Sequence, residues 1–289
     1  MTITLLHPFG YCQGVIVAFS KALEYASSHK NEPIYMLGML VHNEDAVKKI
    51  SSYGVKVLDE RKGPLLEQLE SIEDGATVIF SAHGHPPLYE EIAKRKHLKT
   101  IDTTCIHVEE TRLDAAKVYE HSHDMIYIGS KGHLEAEGFL AHFPYCSFFD
   151  VKSKKLDIKD QLNAPKVYAQ TTLGYFELDE AMKVITKSYP KATLIKGRCL
   201  ATSLRQQEVV RSLEQDHPDA LLILGSKTSN NSKKLAEIGS SYKIPTFLCL
   251  NLEEVKKIDV SAYQRIVISS GASTSRETCL EVKDYLASL

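Results

Sequence analysis

Apolar residues along the chain alternate between two patterns. Short runs rich in Ile, Leu and Val end in Gly, Ser, Thr, His or Asn and read as strands. Between them lie longer stretches whose apolar positions recur at helical spacing. ITLLHP, PIYMLGMLVHN, VKVLD and ATVIFSAHGHPP are of the first kind. VIVAFSKALEYASS, EDAVKKISSYG and LYEEIAKRK are of the second. Strands alternating with helices predict parallel sheets in an α/β fold.

The same series then recurs. The first helix has counterparts in VEETRLDAAKVYEH and TSLRQQEVVRSLEQ, and the strand after it in DMIYIGSKGH and DALLILGSKTSNNS. The second helix returns as LEAEGFLAHF and KKLAEIGSSY, and the short strand VKVLD as SFFDV and PTFLCLN. A last strand, KVYAQTTLGY or RIVISSGASTS, leads into the helices FELDEAMKVITKSY and RETCLEVKDYLASL. Each copy opens at a cysteine placed where a strand turns into a helix: Cys12, Cys105 and Cys199, spaced 93 and 94 residues apart. The third copy stops without a strand leading to a cysteine, and the N-terminal ITLLHP can supply it. The pattern therefore predicts three pseudo-threefold-related α/β domains: 13–104, 105–198, and 199–289 plus 1–12.

Ligands of open α/β sheets bind beyond the carboxyl ends of the strands. If the three domains face inward, those polar ends meet around one central cavity, and the cysteines point into it. Three thiolates suit zinc with an open fourth position. They equally suit an iron–sulfur cluster with one iron lacking a protein ligand. Cys146, Cys249 and Cys279 lie in apolar or helical contexts and read as core. Gly10 and Gly14, flanking Cys12, are expected to let the backbone pass close to a bulky cluster.

The totals narrow the class. A chain of 289 residues suits two or three domains. With 43% apolar and 25% charged residues it has an ordinary globular composition. Thirty-five basic against 37 acidic residues leave −2, which points to neither nucleic acid nor a polybasic membrane anchor. No apolar run approaches the roughly 20 residues that span a bilayer. The N-terminus lacks a basic n-region, so a cytoplasmic setting with reduced thiols is expected.

Nine motifs in register, GYCQGV, LVHN, IFSAHG, DTTC, GHLEAEG, QTTL, RCLATSLRQQ, GSKTSNNS and SGAS, cover nearly the whole chain. The chain resembles the 4-hydroxy-3-methylbut-2-enyl diphosphate reductases, the LytB/IspH family of the non-mevalonate isoprenoid pathway. The resemblance implies a trefoil of three α/β domains around a [4Fe–4S] cluster on Cys12, Cys105 and Cys199, its fourth iron open. It implies reductive dehydroxylation of the allylic diphosphate to isopentenyl and dimethylallyl diphosphates, with electrons from a small redox protein such as ferredoxin or flavodoxin. It assigns His42, His83, His133, Ser229, Asn230, Asn231 and Ser273 to the substrate, Glu135 to proton delivery and Thr171 to its support. Val17, Ile106, Leu134, Asn230 and Ser275 depart from the family pattern without removing a proposed ligand or Glu135. A related substrate, a zinc hydrolase and an iron–sulfur sensor are the competing readings.

Overall fold

The computed structural model describes residues 1–196 and 199–289. Gly197 and Arg198, in the expected strand-to-helix turn before Cys199, lie outside the described residues.

The chain begins with β1 (Thr2–Leu5), α1 (Gln13–Ser28), β2 (Ile34–Leu37), α2 (Glu44–Ser51), β3 (Lys56–Leu58) and α3 (Leu65–Glu70). It continues through β4 (Thr77–Phe80), α4 (Pro87–Arg95), β5 (Lys99–Asp102), α5 (Ile106–Tyr119), β6 (Met125–Gly129) and α6 (Leu134–His142). Then come β7 (Ser147–Asp150), β8 (Lys155–Asp157), β9 (Lys166–Ala169), α7 (Tyr175–Ser188), β10 (Thr193–Lys196) and α8 (Leu200–Gln215). The last elements are β11 (Ala220–Leu224), α9 (Asn230–Ser241), β12 (Thr246–Cys249), α10 (Leu252–Val255), β13 (Arg265–Ser270) and α11 (Arg276–Ala287).

Three sheets form, ordered β3-β2-β4-β5, β8-β7-β6-β9-β10 and β12-β11-β13-β1. Every pairing is parallel except β7 with the edge strand β8. The order is the same each time: second strand, first, third, then the strand that leads to a cysteine. Strand β1 fills that last place beside β13, with Thr2 to Leu5 opposite Arg265 to Ile268. Central strands β4, β6 and β11 are buried at every residue, which is why TVIF, MIYIG and ALLIL carry almost no polar alternation. Edge strand β5, KTID, faces solvent and is polar accordingly.

The chain divides into two compact units. The first comprises Met1–Ile16, Val41–Lys49 and Leu200–Leu289, and contains the sheet closed by β1. Apolar layers cover both faces of that sheet, one centred on Leu222, Ile268 and Val282, the other on Val209, Ile223 and Leu235. Helix α2 belongs to this unit through polar ties: Asn251 donates to Asp45 at 2.9 Å, and Thr228 to Glu44 at 3.4 Å. The second unit comprises Val17–Leu40 and Ile50–Cys199 and holds the other two sheets.

Two differences from the sequence pattern have local causes. PIYMLGMLVHN is strand only through Leu37, because Gly38 turns at φ +77. Between the second and third strands each copy inserts something different: α3 with a preceding 3₁₀ turn, the β8 hairpin strand, or α10. These pieces are too short to carry a readable period.

The strand ends of the first unit are packed tightly under α9. A Cβ on Gly225 or on Gly271 would lie 2.2 Å from the Ser232 hydroxyl oxygen. Ser232 is fully buried between them. Gly271→Ala is therefore expected to destabilise the protein by roughly 1–3 kcal/mol. Urea denaturation followed by circular dichroism checks this, and an unshifted midpoint contradicts it.

Candidate active site

In each sheet the chain leaves the first strand toward one side and returns for the third on the other, and ligands collect at such switch points. The predicted polar residues follow those strands. His42 follows β2 and His83 follows β4. His133 and Glu135 follow β6, and Thr171 follows β9. Ser229, Asn230 and Asn231 follow β11, and Ser273 follows β13.

The three matching cysteines share one backbone anchor. Cys12 N–H donates to Ala272 C=O at 3.0 Å, Cys105 N–H to Ala82 C=O at 3.0 Å, and Cys199 N–H to Thr171 C=O at 2.9 Å. In each case the acceptor lies in the loop after the neighbouring third strand. All three cysteines are partly exposed, whereas Cys146, Cys249 and Cys279 are buried. Burial pushes the Cys146 thiol up to about 12 and that of Cys249 up to about 11, which keeps both protonated. None of the six forms a disulfide. Among the described residues no three His, Cys, Asp or Glu side chains stand together as a site for one metal ion.

In the first unit the Cys12 loop is tied at both faces. Gly10 N–H donates to the Ser270 hydroxyl at 3.2 Å, and the buried Arg205 guanidinium donates to Gly10 C=O at 2.7 Å. Gly10 stands at φ +83, and a Cβ there would press on the Arg276 backbone at 3.3 Å. Glycine is required here by the positive φ and by the close approach to the start of α11. Ser273 Oγ donates to the carbonyl of His42 at 3.4 Å, joining two predicted substrate residues. Ser229 caps α9 by accepting from Ser232 N–H. Asn231, 4% exposed, has neither side-chain Oδ1 nor Nδ2 partnered. A buried amide with both ends unsatisfied costs free energy until something binds it.

In the second unit the structure brings four predicted residues together. The rings of His83 and His133 meet edge to face at 5.8 Å. His83 Nδ1 lies 3.2 Å from Ser81 Oγ. His133 caps α6, its Nδ1 accepting from Glu135 N–H at 3.2 Å. That bond leaves Nε2 to carry the proton of the neutral ring. Glu135 accepts from Thr171 N–H at 2.7 Å and from Thr171 Oγ1–H at 2.9 Å. Tyr127 also hydrogen-bonds to it. These three donors favour the carboxylate, but burial outweighs them and raises Glu135 from 4.5 to about 7. Burial alone thus supplies the raised proton affinity expected of a proton donor.

Two contributors lay outside the sequence assignment. Arg205 stood in plain view within RCLATSLRQQ but carries no spacing signal toward Gly10. Tyr127 reads as a core aromatic in DMIYIG, and nothing in the pattern marks its hydroxyl.

The model of the family described as "LytB protein" matches residues 3–287. The chain belongs to the LytB family. The 4-hydroxy-3-methylbut-2-enyl diphosphate reductase of Macrococcus caseolyticus is 35% identical over 295 residues, covering 99% of this chain and 89% of its own. The enzyme of that name from Anoxybacillus flavithermus is 32% identical over 301 residues, covering 99% and 90%. The solved E-1-hydroxy-2-methyl-but-2-enyl-4-diphosphate reductase of Plasmodium falciparum superposes with a TM-score of 0.84 at 26% identity, covering 99% and 88%. This LytB-family chain therefore has the fold of these reductases, α/β with mainly parallel sheets. LytB proteins work with an iron–sulfur cluster. Among the described residues no helix is long and apolar enough to cross a membrane.

Because the folded state raises Glu135 above its unfolded value, the group favours folding most at low pH. Its contribution is lost as pH climbs from 4.5 through about 7. Above that, ionised Glu135 costs up to roughly 3 kcal/mol. Glu135→Gln is accordingly expected to gain stability over the parent at pH 8 and little at pH 4. Paired urea titrations at the two pH values check the sign; a larger gain at the low pH contradicts it.

Proposed function

We propose that this LytB-family chain is a reductase that removes the hydroxyl of 4-hydroxy-3-methylbut-2-enyl diphosphate. Two electrons and two protons give water and isopentenyl or dimethylallyl diphosphate, the last step of the non-mevalonate isoprenoid pathway. The observation that carries the reading is Glu135: a buried carboxyl, poised near neutrality, in the first turn of α6 and held by Thr171, whose carbonyl in turn accepts from the N–H of the predicted ligand Cys199.

The cysteine set fits a [4Fe–4S] cluster. Three thiols of equal topological rank are partly exposed and backbone-anchored, while the remaining three are buried. Cys12, Cys105 and Cys199 would hold such a cluster, which when bound supplies electrons and an iron open to act as a Lewis acid. The proposed pseudo-threefold division into 13–104, 105–198 and 199–289 plus 1–12 puts each of these thiols at a module boundary.

The chain's own groups account for the rest. A diphosphate needs several donors and no particular cation. Ser229, Asn230, Asn231 and Ser273 offer hydroxyls and amides, and His42 and His83 add imidazole donors that strengthen on protonation. The unpartnered amide of Asn231 suits a phosphate oxygen. His133, its Nδ1 engaged by the backbone, directs an Nε2–H donor. Glu135 holds the transferable proton, and Thr171 orients the carboxyl from two sides. Neither nucleic acid nor membrane has a part in this chemistry. Ferredoxin or flavodoxin is the electron donor we assign, in the cytoplasm.

Anaerobic turnover of the hydroxymethyl allylic diphosphate with a reduced viologen dye tests the reading. Glu135→Gln should lower kcat by about 10²-fold or more. Asn231→Ala should raise KM by roughly 10- to 100-fold, the worth of hydrogen bonds to a charged ligand. Substrate left unconsumed by iron-loaded enzyme would sink the assignment.

A further inference from the structure

Glu135 must be recharged after each proton it gives, yet it is 4% exposed. Its partners Thr171 and Tyr127 donate to it and are themselves buried. Resupply therefore needs a route from solvent, and the second unit contains one. A cavity of about 280 Å³ is lined by Glu135, Tyr127, His142, Arg112, His85 and Glu90, among others. That is ample for a chain of waters between polar walls.

His85 stands out on this wall. Although it sits in a loop, its side chain is only 10% exposed. It stacks on Phe80, with ring centroids 4.0 Å apart. Nε2 lies 3.3 Å from the carboxylate of Glu90, whose own side chain is 55% exposed. Nδ1 is buried without a hydrogen-bond partner among the described residues. The ring thus has one nitrogen on a surface acid and the other turned away from solvent. Helix α6 lies directly against it: a Cβ on Gly138 would sit 3.3 Å from the His85 backbone nitrogen. Gly138 is three residues after Glu135, so it shares a helix face with the carboxyl, about one turn along. Of the other basic groups on the wall, His83 lies against Ser81 and His133. Arg112 is paired bidentately with Glu109, and burial together with Arg112 holds His142 below the usual histidine range.

We propose that His85 is the proton relay that feeds Glu135 through this cavity. Glu90 collects a proton from solvent and passes it to Nε2. The imidazolium releases its Nδ1 proton to cavity water, which delivers it to the Glu135 carboxylate, and tautomer exchange resets the ring. Only protons move, and none is created or lost. The relay's purpose rests on the proton-donor role given to Glu135 above.

The test follows the Glu135 carboxyl itself by infrared difference spectroscopy on the full-length, iron-loaded protein. Its C=O band is identified by its loss in Glu135→Gln. At a pH below the Glu135 transition, transfer into D₂O shifts the band as the carboxyl exchanges. His85→Gln, which keeps a hydrogen-bonding side chain but cannot carry a proton, should slow that exchange at least tenfold. Glu90→Gln, a surface change, should slow it in the same direction and serves if His85→Gln fails to fold. Exchange as fast as in the parent protein in a folded variant overturns the relay. Because exchange is read without turnover, inactivity toward the allylic diphosphate would remove the proposed reaction while leaving the proton route measurable.

Discussion

One backbone hydrogen bond, made three times, organises the molecule. At Cys12, Cys105 and Cys199 the peptide N–H reaches across to the loop that follows the adjacent third strand. That bond exists because each sheet has the same strand order, with the cysteine-leading strand always beside the third strand. It fixes each thiol at the carboxyl edge of its sheet and at the start of a helix. The thiols remain partly exposed as a result, whereas burial in the apolar layers keeps Cys146 and Cys249 protonated and inert. Position in the fold, more than cysteine chemistry, separates candidate ligands from packing residues.

The same edge concentrates polar groups that the interior would otherwise exclude. Asn231 is buried with an unsatisfied amide, and Glu135 is buried with an elevated proton affinity. Each costs stability, as groups at functional sites commonly do. Asn231 with Ser229 and Ser273 lies in the first unit, and Glu135 with Thr171, His83 and His133 in the second. Tight helix-to-strand contacts underlie both: Gly225 and Gly271 admit Ser232 in the first unit, and Gly138 admits the His85 backbone in the second.

Much of this was legible in the sequence. The threefold recurrence of strand and helix, the equal spacing of three cysteines and the polar strand ends all follow from period and composition. Parallel strands buried on both faces write themselves as unbroken apolar runs, as in ALLIL. The illegible part depends on contacts between residues far apart in the chain. Nothing local marks Tyr127 as a partner of Glu135, or Arg205 as the tie to Gly10, 195 residues away. The packing of Gly10 is illegible for the same reason: its neighbour, Arg276, comes from the far end of the chain. His85 reads as a loop histidine because burial and stacking on Phe80 are tertiary facts.

The central claim is that three cysteines form one ligand set and the other three do not. Iron and acid-labile sulfide, measured on anaerobically reconstituted single variants, test it most directly. Cys12→Ser, Cys105→Ser and Cys199→Ser should each lose the intact cluster, while Cys146→Ala, Cys249→Ala and Cys279→Ala should retain it wherever they fold. Full iron and sulfide in any one of the first three, or loss in a folded variant of the second three, would contradict the account.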